Sequence, residues 1–213
     1  MKKFFMVTPL QPVGIKDGKP FDYLHCNKYE AVGNTKLQYN KPTRFPIIPV
    51  INGYAEKGEE IRVITVTPDT PSSQIHLKQL EEEVSALQKE KGFICHQVES
   101  VALSYAGDVS TQIEMFHKLL SYMDDDDVLY GCLTYGVKPM PIAELMAIQY
   151  GYRVLNNTTI GCLVYGELDH SLEPAPMRIF DITALVQLDE IVRVLADRKI
   201  SNPKKIIDSI LEM

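Results

Sequence analysis

A chain of 213 residues with 45% hydrophobic and 23% charged side chains has the make-up of an ordinary globular protein with one substantial core. Its formal net charge of −6 argues against broad electrostatic binding to duplex nucleic acid, although a local cluster of cations still suits a small anion. No apolar run reaches the roughly 18 residues that a bilayer-spanning helix needs, so no membrane partner and a cytoplasmic location are expected.

In chain order, MKKFFMVTPL opens with an apolar part too short for a signal peptide, followed at once by Pro and Gln without a small-residue cleavage pattern. Lys2 or Lys3 to Leu10 is read as a first strand. Residues 11–59 then form a long excursion rich in Gly, Pro, Asn, Tyr and Lys, and such excursions are functional or partly disordered. Within it, RFPIIPVINGY (Arg44–Tyr54) suits one short helix or an extended segment.

EIRVITVTP (Glu60–Pro68) is rich in β-branched residues and reads as a second strand. Leu77, Leu80, Val84 and Leu87 recur at helical spacing. FICHQVES (Phe93–Ser100) reads as a strand. A helix follows from near Ser110, where Thr111 and Glu114 fit a capping box and Ile113, Phe116, Leu119 and Leu120 form an apolar face.

VLYGCL (Val128–Leu133) is the next strand, and IAELMAIQYGY (Ile142–Tyr152) the next helix. TTIGCLVYG (Thr158–Gly166) and RIFDIT (Arg178–Thr183) are late strands joined through the Pro-containing HSLEPAPM (His170–Met177). A helix from Ala184 to about Asp197 carries Leu185, Leu188, Ile191, Val192 and Leu195. Asn202 and Pro203 mark the N-cap and first position of a short terminal helix.

This alternation predicts an α/β fold: a mostly parallel central sheet with helices on both faces, and an antiparallel edge pair near the C-terminus. Residues 1–200 form the domain. Residues 201–213 form the short helix, a place for a linker to begin.

In such a sheet, ligands bind at the carboxyl ends of the strands. Three turns rich in hydroxyls and prolines leave that edge. VTPLQPVG carries Thr8, Gln11 and Gly14. VTPDTPSS carries Thr67, Asp69, Thr70 and Ser72, where a helix cap at Ser72 or Ser73 is the plainer reading. LTYGVKPMP offers the Thr134 hydroxyl, a flexible Gly136 and the Lys138 cation, a set that suits an anion. Pro139 and Pro141 donate no N–H, so an anion there leans on Lys138 and the loop amides. Lys41 and Arg44 are candidate second cations, with surface charge the plainer reading. Tyr105 is a possible ligand contact in SYAGDVS, where Asp108 or Ser110 reads more simply as a cap.

Other signals exclude chemistry. The four cysteines, Cys26, Cys95, Cys132 and Cys162, form no CxxC pair and read as free thiols. Cys95 and His96 are neighbours in a strand-like run, so they point to opposite faces. The run Asp124–Asp127 reads as a solvated connector. No metal set or resident cofactor is expected. Walker, GxGxxG and GxSxG patterns do not occur.

TPLQP, VITVTPD, LTYGVKPMPIAELMAI, IGCLVYG and FDITALVQLDEIV, in that order, make the chain similar to the CARF domain, the Rossmann-like sensor of type III CRISPR systems. The likeness covers nearly the whole chain and would make residues 1–200 a CARF-like Rossmann domain. It departs at Cys132 and Leu133, where relatives carry Asp-x-Thr.

The resemblance implies a two-fold homodimer that binds a cyclic oligoadenylate, an even-numbered ring such as cyclic tetra-adenylate matching the symmetry. It assigns Thr8, Pro9, Leu10, Gln11, Thr134, Tyr135, Gly136, Lys138 and Pro139 to the pocket, with Tyr135, Met140 and Gln11 facing adenines. It also implies a metal-independent ring nuclease that leaves 2′,3′-cyclic phosphate ends, with Lys138 stabilising charge and Thr8 or Gln11 orienting the ring. Relatives often carry an effector domain after the sensor. Two other readings compete: a Rossmann-like enzyme acting on a mononucleotide or phosphosugar, and a dimerisation module with a vestigial pocket.

Overall fold

A computed structural model describes residues 1–16, 19–22, 24, 26–105, 107–168 and 176–211. The link read at His170–Met177 falls largely outside these residues.

The first strand, β1 (Lys2–Val7), is flanked by two parallel neighbours, β5 (Ile61–Pro68) and β7 (Val128–Cys132). β6 (Val98–Leu103) extends the sheet beyond β5, and β8 (Thr159–Leu168) extends it beyond β7, both in parallel. β9 (Met177–Asp181) pairs antiparallel with β8, and β4 (Tyr29–Val32) closes that edge parallel to β9. The order is therefore β4-β9-β8-β7-β1-β5-β6, a mostly parallel seven-stranded sheet. β2 (Val13–Lys16) and β3 (Lys19–Asp22) form a separate antiparallel hairpin.

Strand alternation sorts the core into two layers. Phe4 and Met6 join Ile61 and Val63 on one face, beneath α1 (Ile47–Tyr54) and α2 (Pro71–Lys91). Phe5 and Val7 join Ile64 and Val66 on the other, beneath α3 (Val109–Leu120), α4 (Pro139–Val154) and the start of α5 (Thr183–Asp197). α6 (Pro203–Leu211) begins at the expected proline. Strands buried on both faces read as apolar runs, which is why β1, β5 and β7 are visible in the sequence.

Several expectations shift. The antiparallel pair is present, but the edge belongs to β4, a strand contributed by the excursion. The excursion also supplies the hairpin and α1, whose Ile47 to Ile51 are buried. β6 starts five positions later than Phe93, because Ile94 makes only an isolated bridge to Glu60. Cys95 thus lies outside a strand; it is buried, and the four cysteines are free.

On α3 the buried positions are Thr111, Met115 and Leu119, and Ile113 is 62% exposed. On α5 only Val186 and Leu195 are buried, and Leu185 and Val192 face outward. The predicted faces are right in the main, since Phe116, Leu119 and Leu120 pack on the core and Leu195 is buried with Leu188 and Ile191 half-buried, but each face is rotated enough to leave Ile113, Leu185 and Val192 outside. The acidic run is not simply solvated: buried Lys3 reaches Asp124 at 2.7 Å and the buried Asp127 at 2.6 Å.

Candidate functional site

The connections from β1 and β7 leave the same edge of the sheet and part company. β1 leads through the excursion to α1 on one face, whereas β7 leads to α4 on the other. Adjacent parallel strands whose connections diverge make a topological switch point, the place where α/β sheets hold ligands. A cavity of about 580 Å³ opens beside it, its wall shared by Gln11, Thr134, Tyr135, Tyr29, Tyr165 and Gly166.

The turn after β7 is fixed by short-range chemistry. Thr134 Oγ1 accepts from the Gly166 amide at 2.8 Å, tying the turn to β8. Tyr135 is buried, and its hydroxyl donates to the Arg44 carbonyl at 2.6 Å. Burial pushes the Tyr135 phenol well above its ordinary range, so it is a neutral donor. Gly136 has φ +96°, with Val7 Cγ1 and Met140 Cβ 3.0 and 3.1 Å from where a Cβ would stand. Only glycine enters that left-handed region without strain. α4 then starts at Pro139, preceded by Lys138, which is exposed and forms no ion pair among the described residues.

The turn after β1 is held by α2. Ser73 Oγ donates to the Pro9 carbonyl at 3.2 Å, and His76 Nε2 meets the Gln11 carbonyl at 3.0 Å. The Gln11 side chain lines the cavity with its Oε1 buried and without a hydrogen-bond partner among the described residues. Leu10 is half-buried beside it.

Other candidates are placed elsewhere. Thr8 is fully buried, its hydroxyl 2.8 Å from that of Thr65 and 3.2 Å from that of Thr67, and Thr67 accepts from Ser100 at 2.8 Å. This hydroxyl chain joins β1, β5 and β6 inside the α2 layer and does not line the cavity. Met140 is core, on the buried face of the first turn of α4. Asp69 and Tyr105 are exposed at the ends of β5 and β6, on the far side of β1 from the cavity. Thr70 caps α2 by accepting from the Ser73 amide at 3.1 Å, and Asp108 caps α3 by accepting from the Thr111 amide at 2.8 Å.

The two extra cations are already satisfied. Arg44 lies 3.2 Å from Asp22 and 3.4 Å from Glu83, and Lys41 lies 2.6 Å from Glu90. Glu167 on the cavity wall is offset by Arg178 at 3.4 Å.

Sequence reasoning missed Tyr29 and Tyr165. Tyr29 sits on the unrecognised β4. Tyr165 is the outward residue between inward Val164 and Gly166 on β8, a position that alternation alone would have exposed.

Among the described residues, no cluster of His, Cys, Asp and Glu could hold a metal ion, and no helix is long and apolar enough to cross a membrane. The chain matches no family model and no curated protein.

Proposed function

We propose that the chain binds a cyclic oligoadenylate, preferentially cyclic tetra-adenylate, across a homodimer, as a sensor in type III CRISPR defence. The observation that carries this reading is the juxtaposition at the switch point. Gln11 from the turn after β1 and Thr134 and Tyr135 from the turn after β7 share one cavity, and Lys138 stands exposed four residues beyond Thr134. The carboxamide suits a base edge, the tyrosines supply flat walls, and the cation suits a phosphate. A two-fold axis near the turn would present each group twice to a symmetric ring.

One feature favours a second reading. The cavity, at about 580 Å³, has room for one nucleotide without any contribution from Lys138, as an enzyme acting on a mononucleotide or phosphosugar would need. Calorimetry with cyclic tri-, tetra- and hexa-adenylate beside AMP and ATP separates the two. One ring per two chains supports the sensor, and mononucleotide binding alone supports the enzyme. Silence with every probe removes both.

Ring cleavage would rest on Gln11 and Lys138, because the Thr8 hydroxyl is engaged in the sheet. Incubating cyclic tetra-adenylate with the protein in EDTA and assaying for 2′,3′-cyclic phosphate ends tests it. An intact ring would leave binding without cleavage.

A further inference from the structure

We propose that the groove between α3 and α4 is the surface through which two copies of this chain pair. That the chain forms a homodimer belongs to the function proposed above; the groove gives the pairing a place.

Two apolar stripes at helical spacing build it: Val109, Ile113 and Phe116 along α3, and Ile142, Met146 and Tyr150 along α4. Val109 is 74% exposed, Ile113 62%, Ile142 59% and Met146 54%. The Phe116 and Tyr150 rings meet edge to face with centroids 6.2 Å apart, which carries the patch further down both helices. The four most exposed side chains present on the order of 400 Å² of apolar surface, the size of the largest patches found on single chains. Set against its mate, the patch and its rim reach the order of 1,000 Å² that a specific interface of modest affinity needs.

Charge selects the occupant. Among the described residues, no ionisable side chain lines the groove. A surface that pairs with itself sets any charge near the axis against its own copy, so an uncharged lining suits self-pairing and offers nothing to an acidic or basic partner. The exposed apolar face of α5 fails that test. Its Leu185 and Val192 stand among Asp189, Glu190, Arg193 and Asp197.

A second observation lies in the groove itself. Gln112 lines it, and its carboxamide oxygen and nitrogen are both buried without a hydrogen-bond partner among the described residues. A carboxamide holds a donor and an acceptor side by side. Two of them facing across a dyad satisfy each other reciprocally once each turns outward on its side-chain torsions. A purely apolar partner would leave both atoms unpaired.

α3 follows β6 and α4 follows β7, so both helices begin at the carboxyl edge of the sheet. Pro139, the first residue of α4, lies in the groove next to Lys138. A dyad through the groove therefore brings the two Lys138 cations to the same end of the dimer, beside the turn after β7.

Sedimentation velocity of the full chain without nucleotide, from about 1 to about 100 μM, tests the surface. The parent should pass from monomer to dimer within that range. Ile113→Glu and Met146→Glu replace side chains that are more than half exposed. Each variant should keep the parent's thermal midpoint and stay monomeric at the highest concentration. Gln112→Glu sets two carboxylates across the dyad and should weaken the dimer at least about ten-fold. Leu185→Glu on α5 should leave the dimer intact.

A parent that stays monomeric overturns the proposal. So does a dimer that survives Ile113→Glu and Met146→Glu, or one that Leu185→Glu dissolves. Undiminished pairing of Gln112→Glu overturns the placement of the dyad at that residue. With no nucleotide present, the result stands apart from the ligand: a dimer through this groove that binds no cyclic oligoadenylate upholds the surface and sinks the sensor reading.

Discussion

The Tyr135 hydroxyl donates to the carbonyl of Arg44 across 91 positions of sequence, joining the turn after β7 to the segment that leads into α1. The same carbonyl receives the Tyr29 hydroxyl at 3.4 Å. Three segments meet at one oxygen, and the cavity lies over that junction. Tyr135→Phe removes the shorter bond and leaves a buried carbonyl with the weaker partner. It should cost about 1–2 kcal/mol in urea unfolding, with an unchanged m-value. No loss would mean that Tyr29 closes in to replace it.

How much of this was legible in the residues follows from what each signal encodes. The doubly buried strands are apolar runs, so the central sheet was visible, including the strand before Thr134. The turn after β7 was visible because Gly136 and Pro139 punctuate it. The excursion was opaque: Tyr29–Val32 is too short to show a period, and it becomes a strand only because β9 offers a free edge. Thr8 directly follows β1, but its N–H still bonds the Val66 carbonyl at 2.8 Å, so its side chain keeps the alternation of the sheet and joins the α2 layer, a register the residues alone do not show. The contact of His76 with the Gln11 carbonyl was hidden because the two lie 65 residues apart.

Lys138 is exposed and carries no ion pair among the described residues, so the fold does not need its charge. Lys138→Ala should leave the thermal midpoint unchanged. It should weaken cyclic tetra-adenylate binding by roughly ten-fold or more, the value of a charge-assisted bond to phosphate. Calorimetry and thermal scans on the same samples check both halves. Equal affinity for variant and parent would take Lys138 out of the site.

Asp181 explains the sequence FDIT. Its Oδ1 accepts from the Thr183 hydroxyl at 2.6 Å and amide at 2.9 Å, starting α5, and its Oδ2 accepts from Asn34 at 2.6 Å, fastening the excursion. Burial pushes this carboxyl up, but the bonds from Thr183 and Asn34 outweigh it and hold the carboxyl below its ordinary range. Its contribution to stability is therefore present above the ordinary carboxylate range and lost as pH falls through the folded value. Asp181→Ala should cost about 1.5–3 kcal/mol near neutrality, the net worth of a hydrogen bond to a charged group. The gap between variant and parent should narrow in acid, which denaturation at about pH 7 and about pH 3 would reveal.

Glu144 has the opposite sign. It lies inside α4 against β7, fully buried, with neither carboxyl oxygen hydrogen-bonded among the described residues. Desolvation pushes its carboxyl well above the usual range, and the nearby Cys132 amide only partly offsets this. The folded protein therefore keeps a proton that the unfolded chain releases above about pH 4.3. Stability from this group is complete below that pH and declines as pH rises toward the folded value. Glu144→Met keeps an unbranched side chain of similar length and removes the ionisation. The variant should be more stable than the parent by about 1–3 kcal/mol near neutrality, the desolvation cost of a buried polar group left without a partner. The difference between their urea midpoints should grow from about pH 5 to about pH 8, because only the parent carries the penalty. Curves that run parallel over that range would show that the Glu144 carboxyl reaches solvent or a cation in the folded state. In that case the layer between α4 and β7 would be open to water, and the neighbouring turn would rest on a softer support than the packing of Met140 and Ala143 implies.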